Sequence, residues 1–448
     1  MSQARSKPWI LFSLLLISAL SAGCSEARNI DASNPSPTSI PSVSSYSSNQ
    51  NSTSTVMPPE KSIPKSVQVP EDEHTNDTFT INRSPGTFSL GCNNSEELPK
   101  DGVVFESLSG KFFPLPIPSV TSSEELVKAY CTVAGPPDRL RIIYILSLRI
   151  PASGLEVEKP LTRTVSYALD TPGAIANYAW PAPIGTSIDE IAATNFGFIV
   201  RVGNNFTGFD LDTLEPTWER NDGPVYDSSF NGLAFVREIG FESGLKVVIN
   251  DASTGSELQN LSGFQRATEG KDFQGQSNYG WFLRHGYKNP DNDVFYFDAS
   301  SKKLIGPLSP YAEGMQRHGD LLLTYRRDNV DKNNFINIFD IKKNDYVLRK
   351  IGSEVSGLNF SEIYVAGNYL YIKNDTESSV TDLRTLTKVS QGWSARPMDL
   401  IGTDWILSIK GPVTNQYVNC FDGDGFYMCK ERAVLVHSPN GAYPGPWY

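Results

Sequence analysis

Histidine is the scarcest of the residue types that could do chemistry in this chain: four in 448 residues, at 74, 285, 318 and 437. Two of them stand in matching tripeptides, Arg284-His285-Gly286 and Arg317-His318-Gly319. A histidine beside arginines can accept a phosphoryl group while guanidinium forks hold the phosphate oxygens. The first tripeptide continues Tyr287-Lys288-Asn289-Pro290, so its second cation is a lysine, a point charge without the fork. No His-Asp dipeptide is present to donate a proton. Both tripeptides are expected to be loop residues. A three-histidine metal centre would need His285, His318 and His437 to converge from three separate repeats. Asp422-x-Asp424-Gly425 holds two carboxylates of a calcium loop but no third acid and no closing Glu, so a plain hairpin turn is expected there. No Gly-x-Ser-x-Gly elbow, phosphate loop or dinucleotide fingerprint occurs. The expectation is therefore no catalytic residue, no cofactor and no resident metal.

Aspartate is the residue that recurs. A run of strand-forming residues ends in an acidic turn at Asp170, Asp210, Asp251, Asp298, Asp340 and Asp382, with spacings of 40, 41, 47, 42 and 42. An Asp at a strand end accepts backbone N–H bonds and shapes the turn, so these carboxylates are expected to be structural. Upstream of each lies a second strand-forming run: 142–148, 198–202, 233–239, 281–283, 321–325 and 369–372. Trp180, Trp218 and Trp393 come about ten residues after some of the turns. A seventh unit has Trp405-Ile406-Leu407-Ser408-Ile409 as its second strand and Val434-Leu435-Val436-His437 as its third, with an insertion between them.

The elements that must position these residues are thus short antiparallel strands in four-stranded units of about 42 residues, the signature of a β-propeller. The expectation is an all-β, seven-bladed propeller over 136–448, with eight blades as the alternative. Residues 86–135 hold a hairpin, 102–105 and 111–117, and one short helix. The helix is expected from the capping-box pattern Ser122-Ser123-Glu124-Glu125 and runs through Tyr130. The hairpin is expected either to close the ring as an outer strand or, in the eight-blade alternative, to form a blade of its own.

Cys92, Cys131, Cys420 and Cys429 allow three pairings. The turn residues 422–425 favour Cys420–Cys429, and Cys92–Cys131 follows by elimination. The fifth cysteine, Cys24, ends a different segment. Arg5 and Lys7 precede an apolar stretch of about a dozen residues, too short to cross a bilayer, and Leu20-Ser21-Ala22-Gly23-Cys24 comes after it. Residues 25–85 contain 14 Ser, 6 Thr, 8 Pro and 6 Asn, a composition that cannot bury enough apolar surface to offset ordering entropy. They are expected to be a disordered tether with a reach of about 45 Å.

Residues 1–24 resemble the bacterial lipoprotein signal. That resemblance implies lipidation of Cys24, cleavage before it and an extracytoplasmic body anchored to a bacterial membrane. The repeat, clearest where Asp210 is followed by Thr213 and Trp218, resembles the pyrroloquinoline-quinone-dehydrogenase-like repeats, which also occur in lipoproteins that assist outer-membrane protein assembly. The aspartate turn is similar to that of tryptophan–aspartate repeats. Thirty-nine Lys+Arg against 50 Asp+Glu give a net charge of −11, which argues against a nucleic-acid partner. The expected function is a non-catalytic binding or scaffold propeller contacting another envelope protein or cell-wall glycan, through the insertion at 411–431 first. The alternative is an extracytoplasmic propeller enzyme, a quinone-dependent dehydrogenase or a carbohydrate-active enzyme.

Overall fold

The computed structural model describes residues 66–68, 81–84, 87–99, 101–181, 183, 187–221, 223, 225–240, 245–267, 280–286, 293–310, 312–326, 334–351, 362–366, 369–373, 378–390, 395–402, 404–410 and 433–437. Cys24, Trp393, Cys420, Cys429 and the Asp422-x-Asp424 stretch lie outside them. The described strands form eight antiparallel sheets of four. The fold is a β-propeller of eight blades, the alternative count, and not seven. In chain order blade 1 spans 81–114, blade 2 125–179, blade 3 190–221, blade 4 225–262, blade 5 264–309, blade 6 314–351 and blade 7 362–390.

Blade 8 is built from both ends of the described chain. Its first three strands are Ala395–Ile401, Trp405–Lys410 and Ala433–His437, and its fourth is Ser66–Gln68, paired antiparallel with Ala433–His437. Two expectations are corrected here. The ring closes through a segment assigned to the tether, so the tether, expected to reach residue 85, ends before Ser66; Ile81–Ser84 also falls inside that stretch. The hairpin Val103–Glu106 with Lys111–Pro114 is not the closing strand of the last blade. It is the outer half of blade 1.

The expected helix is corrected as well. Residues 125–134 are the inner strand of blade 2, Glu125–Ala134. The capping-box bonds survive as a turn: Glu124 N–H donates to Thr121 O at 3.0 Å, and Thr121 N–H donates to Glu124 Oε2 at 3.1 Å. Beyond that turn the strand pairs along nearly its whole length with Arg141–Ile150, and that long-range ladder overrides local helix propensity.

Apolar residues pack between neighbouring blades. The second strands are covered on both sides and are therefore rich in apolar residues, as in Arg141–Ile150 and Leu321–Arg326, although Ser89, Arg237, Glu238 and Ser408 are buried among them. Tyr144 and Leu146 pack towards blade 1 with Cys92 and Val104, while Ile143 and Ile145 pack towards blade 3 with Phe198 and Phe209. Trp281 and Leu283 face blade 4, Phe282 faces blade 6, and Leu323 faces blade 7. At the closing seam Trp405 is fully buried, meets Phe105 edge-on at 5.2 Å and donates from Nε1 to Ser107 O at 2.7 Å. The expected Cys92–Cys131 disulfide is present and ties blade 1 to the inner strand of blade 2.

The meander gives the ring two unlike faces. Turns between second and third strands, and the links from blade to blade, lie on one face. Turns between first and second strands, and between third and fourth, lie on the other.

Candidate functional site

The six recurring aspartates fall on the second of these faces, at or just past the end of the third strand of blades 2 to 7. Asp210 Oδ1 accepts from the N–H groups of Asp212 and Thr213 at 2.9 and 2.8 Å. Asp251 Oδ1 accepts from Ser253 N–H at 2.8 Å, Asp298 Oδ2 from Ser301 at 2.9 Å, Asp340 Oδ1 from Lys343 at 3.0 Å and Asp382 Oδ1 from Arg384 at 2.8 Å. Four residues after each of these five, the chain is left-handed: Leu214, Gly255, Lys302, Asn344 and Leu386, with φ from 53° to 68°. Asp170 departs from the pattern. It is exposed, accepts from the Thr171 hydroxyl at 3.1 Å and is followed by Gly173 at φ 102°.

Two of the aspartates also reach the next blade. Lys302 Nζ lies 3.0 Å from Asp251 Oδ2, and buried Arg317 lies 2.6 Å from Asp298 Oδ1. Burial alone would raise the carboxyls of Asp210, Asp251 and Asp298, but the hydrogen bonds they accept bring all three below the ordinary range. The geometry makes this face a set of turn caps and blade ties.

The tripeptides at 284 and 317 do not assemble a phosphate site. Both lie at strand ends and are not loops, a correction: Arg284-His285 ends Gly280–His285, and Arg317-His318 ends Gly314–His318. Arg284 is buried and donates from Nη2 to Ala312 O at 2.8 Å, while the His285 ring meets Phe264 at a tilt, 4.9 Å between centroids. Of the tryptophans, Trp218 lies flat on Phe235 of blade 4, 5.5 Å between centroids. Gly208 sits beneath the indole, where a Cβ would meet it at 2.2 Å, so glycine is required for this seam to close. Among the described residues no group of three or more His, Cys, Asp or Glu could hold a metal ion.

The charged cluster lies on the other face and was not legible in the motifs. Three consecutive inner strands, Glu190–Ala193, Val225–Phe230 and Phe264–Arg266, bring Glu190, Asp227 and Arg266 to the same end of blades 3, 4 and 5. Within blade 3, Glu190 stands opposite Arg201, and their side chains approach to 3.4 Å. Within blade 4, Asp227 stands opposite Glu238, a like-charge pair that is unfavourable alone. Arg266 of blade 5 resolves it. Its guanidinium bonds Asp227, its backbone N–H donates to Glu238 Oε1 at 2.5 Å, and its Nε lies 3.7 Å from the same oxygen. Ser228 Oγ donates to Glu190 Oε2 at 3.0 Å and joins blade 4 to blade 3. Three carboxylates thus share two guanidiniums across two seams. Aligned by their pairing to the second strands, Glu190 and Asp227 hold the same position, opposite Arg201 and Glu238, while Arg266 stands one position away, opposite Leu283; the signal in the sequence is thus the pair at 190 and 227 alone.

Burial pushes the carboxyls of Glu190 and Glu238 up, against the partial relief given by Ser228, Arg201 and Arg266. A folded pKa above the unfolded one means the fold gains stability as pH falls. The gain is complete below the unfolded value of about 4.3 and is lost as pH rises through the folded value. The double variant Glu190→Gln/Glu238→Gln, which is neutral at both positions, is expected to be relatively most favoured near neutral pH and to lose that advantage towards pH 5. Melting temperatures of the two proteins across this range check it; a constant gap would contradict the assignment.

The same face carries the second–third-strand hairpin of blade 2, while the expected insertion at 411–431, between Trp405–Lys410 and Ala433–His437, lies outside the described residues. No family model and no curated protein sequence matches the chain. Solved structures similar to it include BamB from Moraxella catarrhalis, with 9% identity over 84% of this chain and 99% of that one and a TM-score of 0.38. They also include a eukaryotic initiation factor, with 11% identity over 85% and 89% and a TM-score of 0.44. The Dos1 propeller shares 14% identity over 86% and 96%, with a TM-score of 0.36. At these identities and scores the likenesses carry no argument about activity or partner.

Proposed function

We propose that this protein is a non-catalytic scaffold propeller, anchored to a bacterial membrane through lipidated Cys24 and contacting another protein of the envelope. One observation carries the scaffold reading. Arg266 and Arg317 tie blade 5 to blade 4 and blade 6 to blade 5, five of the six recurring aspartates cap turns, and the face of second–third-strand turns carries the long hairpin of blade 2. A rigid ring presenting loops is a form suited to binding. The anchor rests on the apolar stretch and small residues before Cys24 and on the polar composition after it.

Amine cross-linking in native membranes, followed by capture through the C-terminus and mass spectrometry, tests this reading. The expected outcome is one dominant envelope protein, with its links on the face of second–third-strand turns. Recovery of no protein above background overturns it. A Cys24→Ser variant is expected to leave the membrane fraction, and its retention there would contradict the anchor.

A further inference from the structure

Blade 2 is built to a different length from the rest. Its strands Glu125–Ala134, Arg141–Ile150 and Lys159–Ala168 have ten residues each, whereas the second and third strands of every other blade have at most six. Asp170 lies just past the third strand as the other aspartates close theirs, so the extra length lies at the opposite end. Four added pairs project the hairpin about 13 Å past its neighbours. The tip is tied off by mutual backbone hydrogen bonds of Ser153 and Glu156, at 3.3 and 3.0 Å, with Gly154 at φ 62°. Arg149 braces the base by contacting Glu125 at 2.7 Å and Glu158 at 3.8 Å.

This ordered arm carries the two most exposed large apolar side chains among the described residues, Leu155 at 105% and Val157 at 76%. Nothing in blade 2 needs them there. Pairing through the arm's outer edge is blocked, since Pro160 has no N–H to offer an added strand. Contact must therefore run through side chains. Leu155 and Val157 alternate with Glu156 and Glu158; these two acids, with Glu125 of the neighbouring strand at the arm's base, make three against Arg149 and Lys159, on a chain of net charge −11.

We propose that residues 149–159 are the docking arm of this propeller, and that Leu155 and Val157 enter an apolar cleft rimmed by lysine or arginine on a partner protein. The proposal rests on the scaffold reading and names its contact surface.

The test places the photoreactive residue p-benzoylphenylalanine at position 155 of the full chain in intact cells, with position 212 on the opposite face as the control. Position 155 is expected to give one discrete adduct with another protein, whose linked peptide pairs apolar residues with Lys or Arg. Position 212 is expected not to give it. Adding Val157→Asp is expected to lower the yield by about tenfold or more while leaving the melting temperature unchanged, because that side chain is exposed. An adduct with a second copy or with lipid, no adduct, an adduct undiminished by Val157→Asp, or a linked peptide without basic residues each overturns the arm. If amine cross-linking captures an envelope protein while position 155 links to nothing, the arm fails and the scaffold stands.

Discussion

Asp298→Ala is expected to cost about 3–5 kcal/mol of folding stability, because it strands a buried guanidinium. Arg317 Nη1 lies 2.6 Å from Asp298 Oδ1, with side-chain exposures of 6% and 4%. The same nitrogen donates to Tyr296 Oη at 2.9 Å, and the guanidinium stands 5.3 Å above the tyrosine ring. Asp298 Oδ2 is meanwhile occupied by Ser300 and Ser301. The substitution thus removes a turn cap and a tie between blades 5 and 6 together. Asp210→Ala supplies the comparison. Asp210 caps the equivalent turn with three bonds, but Arg139, whose charge also favours its ionised form, pairs directly with exposed Asp212 instead. Its loss is expected to cost about 1 kcal/mol. Urea unfolding of both variants measures the difference; equal losses would mean that only the turn matters. In a double-mutant cycle, Arg317→Met is expected to recover part of the Asp298→Ala loss, since no charge is then left buried alone.

Cys92→Ser is expected to remove about 4 kcal/mol. The bond joins residues 39 apart in sequence, and closing a loop of that size restricts the unfolded chain by about this amount in the loop-entropy description. Both cysteines are buried, at 0% and 5% exposure, and sit within the apolar seam of blades 1 and 2. A reductant is therefore expected to act on this bond only through opening of that seam. Unfolding curves with and without reductant should separate by more in the native protein than in Cys92→Ser, where only the expected Cys420–Cys429 bond is left to reduce. A native curve unchanged after full reduction in denaturant would contradict the assignment.

The repeats were legible where their bonds are local. An Asp that accepts from the N–H two and three residues ahead needs no distant partner, so five of the six turns follow from spacing alone. The second strands were legible because burial on both sides makes them predominantly apolar. The eighth blade hid behind one substitution. In blade 1 the turn begins with Glu106, whose backbone carbonyl accepts from Gly110 N–H at 2.9 Å while Gly110 adopts φ 65°, the same four-residue offset with a longer acid. A search keyed on aspartate passes over it. The strand at 125–134 was illegible for the opposite reason: its turn is local, but what decides its conformation is a ladder to residues 141–149. The cluster of Glu190, Asp227, Glu238 and Arg266 combines residues from three blades and from both first and second strands, and only the packing of neighbouring blades brings them together.

The closing strand has a mechanical side. Ser66–Gln68 contributes three paired positions, and every load applied to the chain before Ser66 enters the ring through them. A pull along the strand axis shears the three pairs together, whereas a sideways pull peels them one at a time from Ser66↔Val436. Blade 8 would then yield before any other blade feels the tension. The Trp405 contact with Phe105 and Ser107 is a second latch behind it, holding blades 8 and 1 shut after the outer strand has gone. Stretching this molecule from its N-terminal side should thus give a small early rupture of three residues, well separated from the unravelling of the ring.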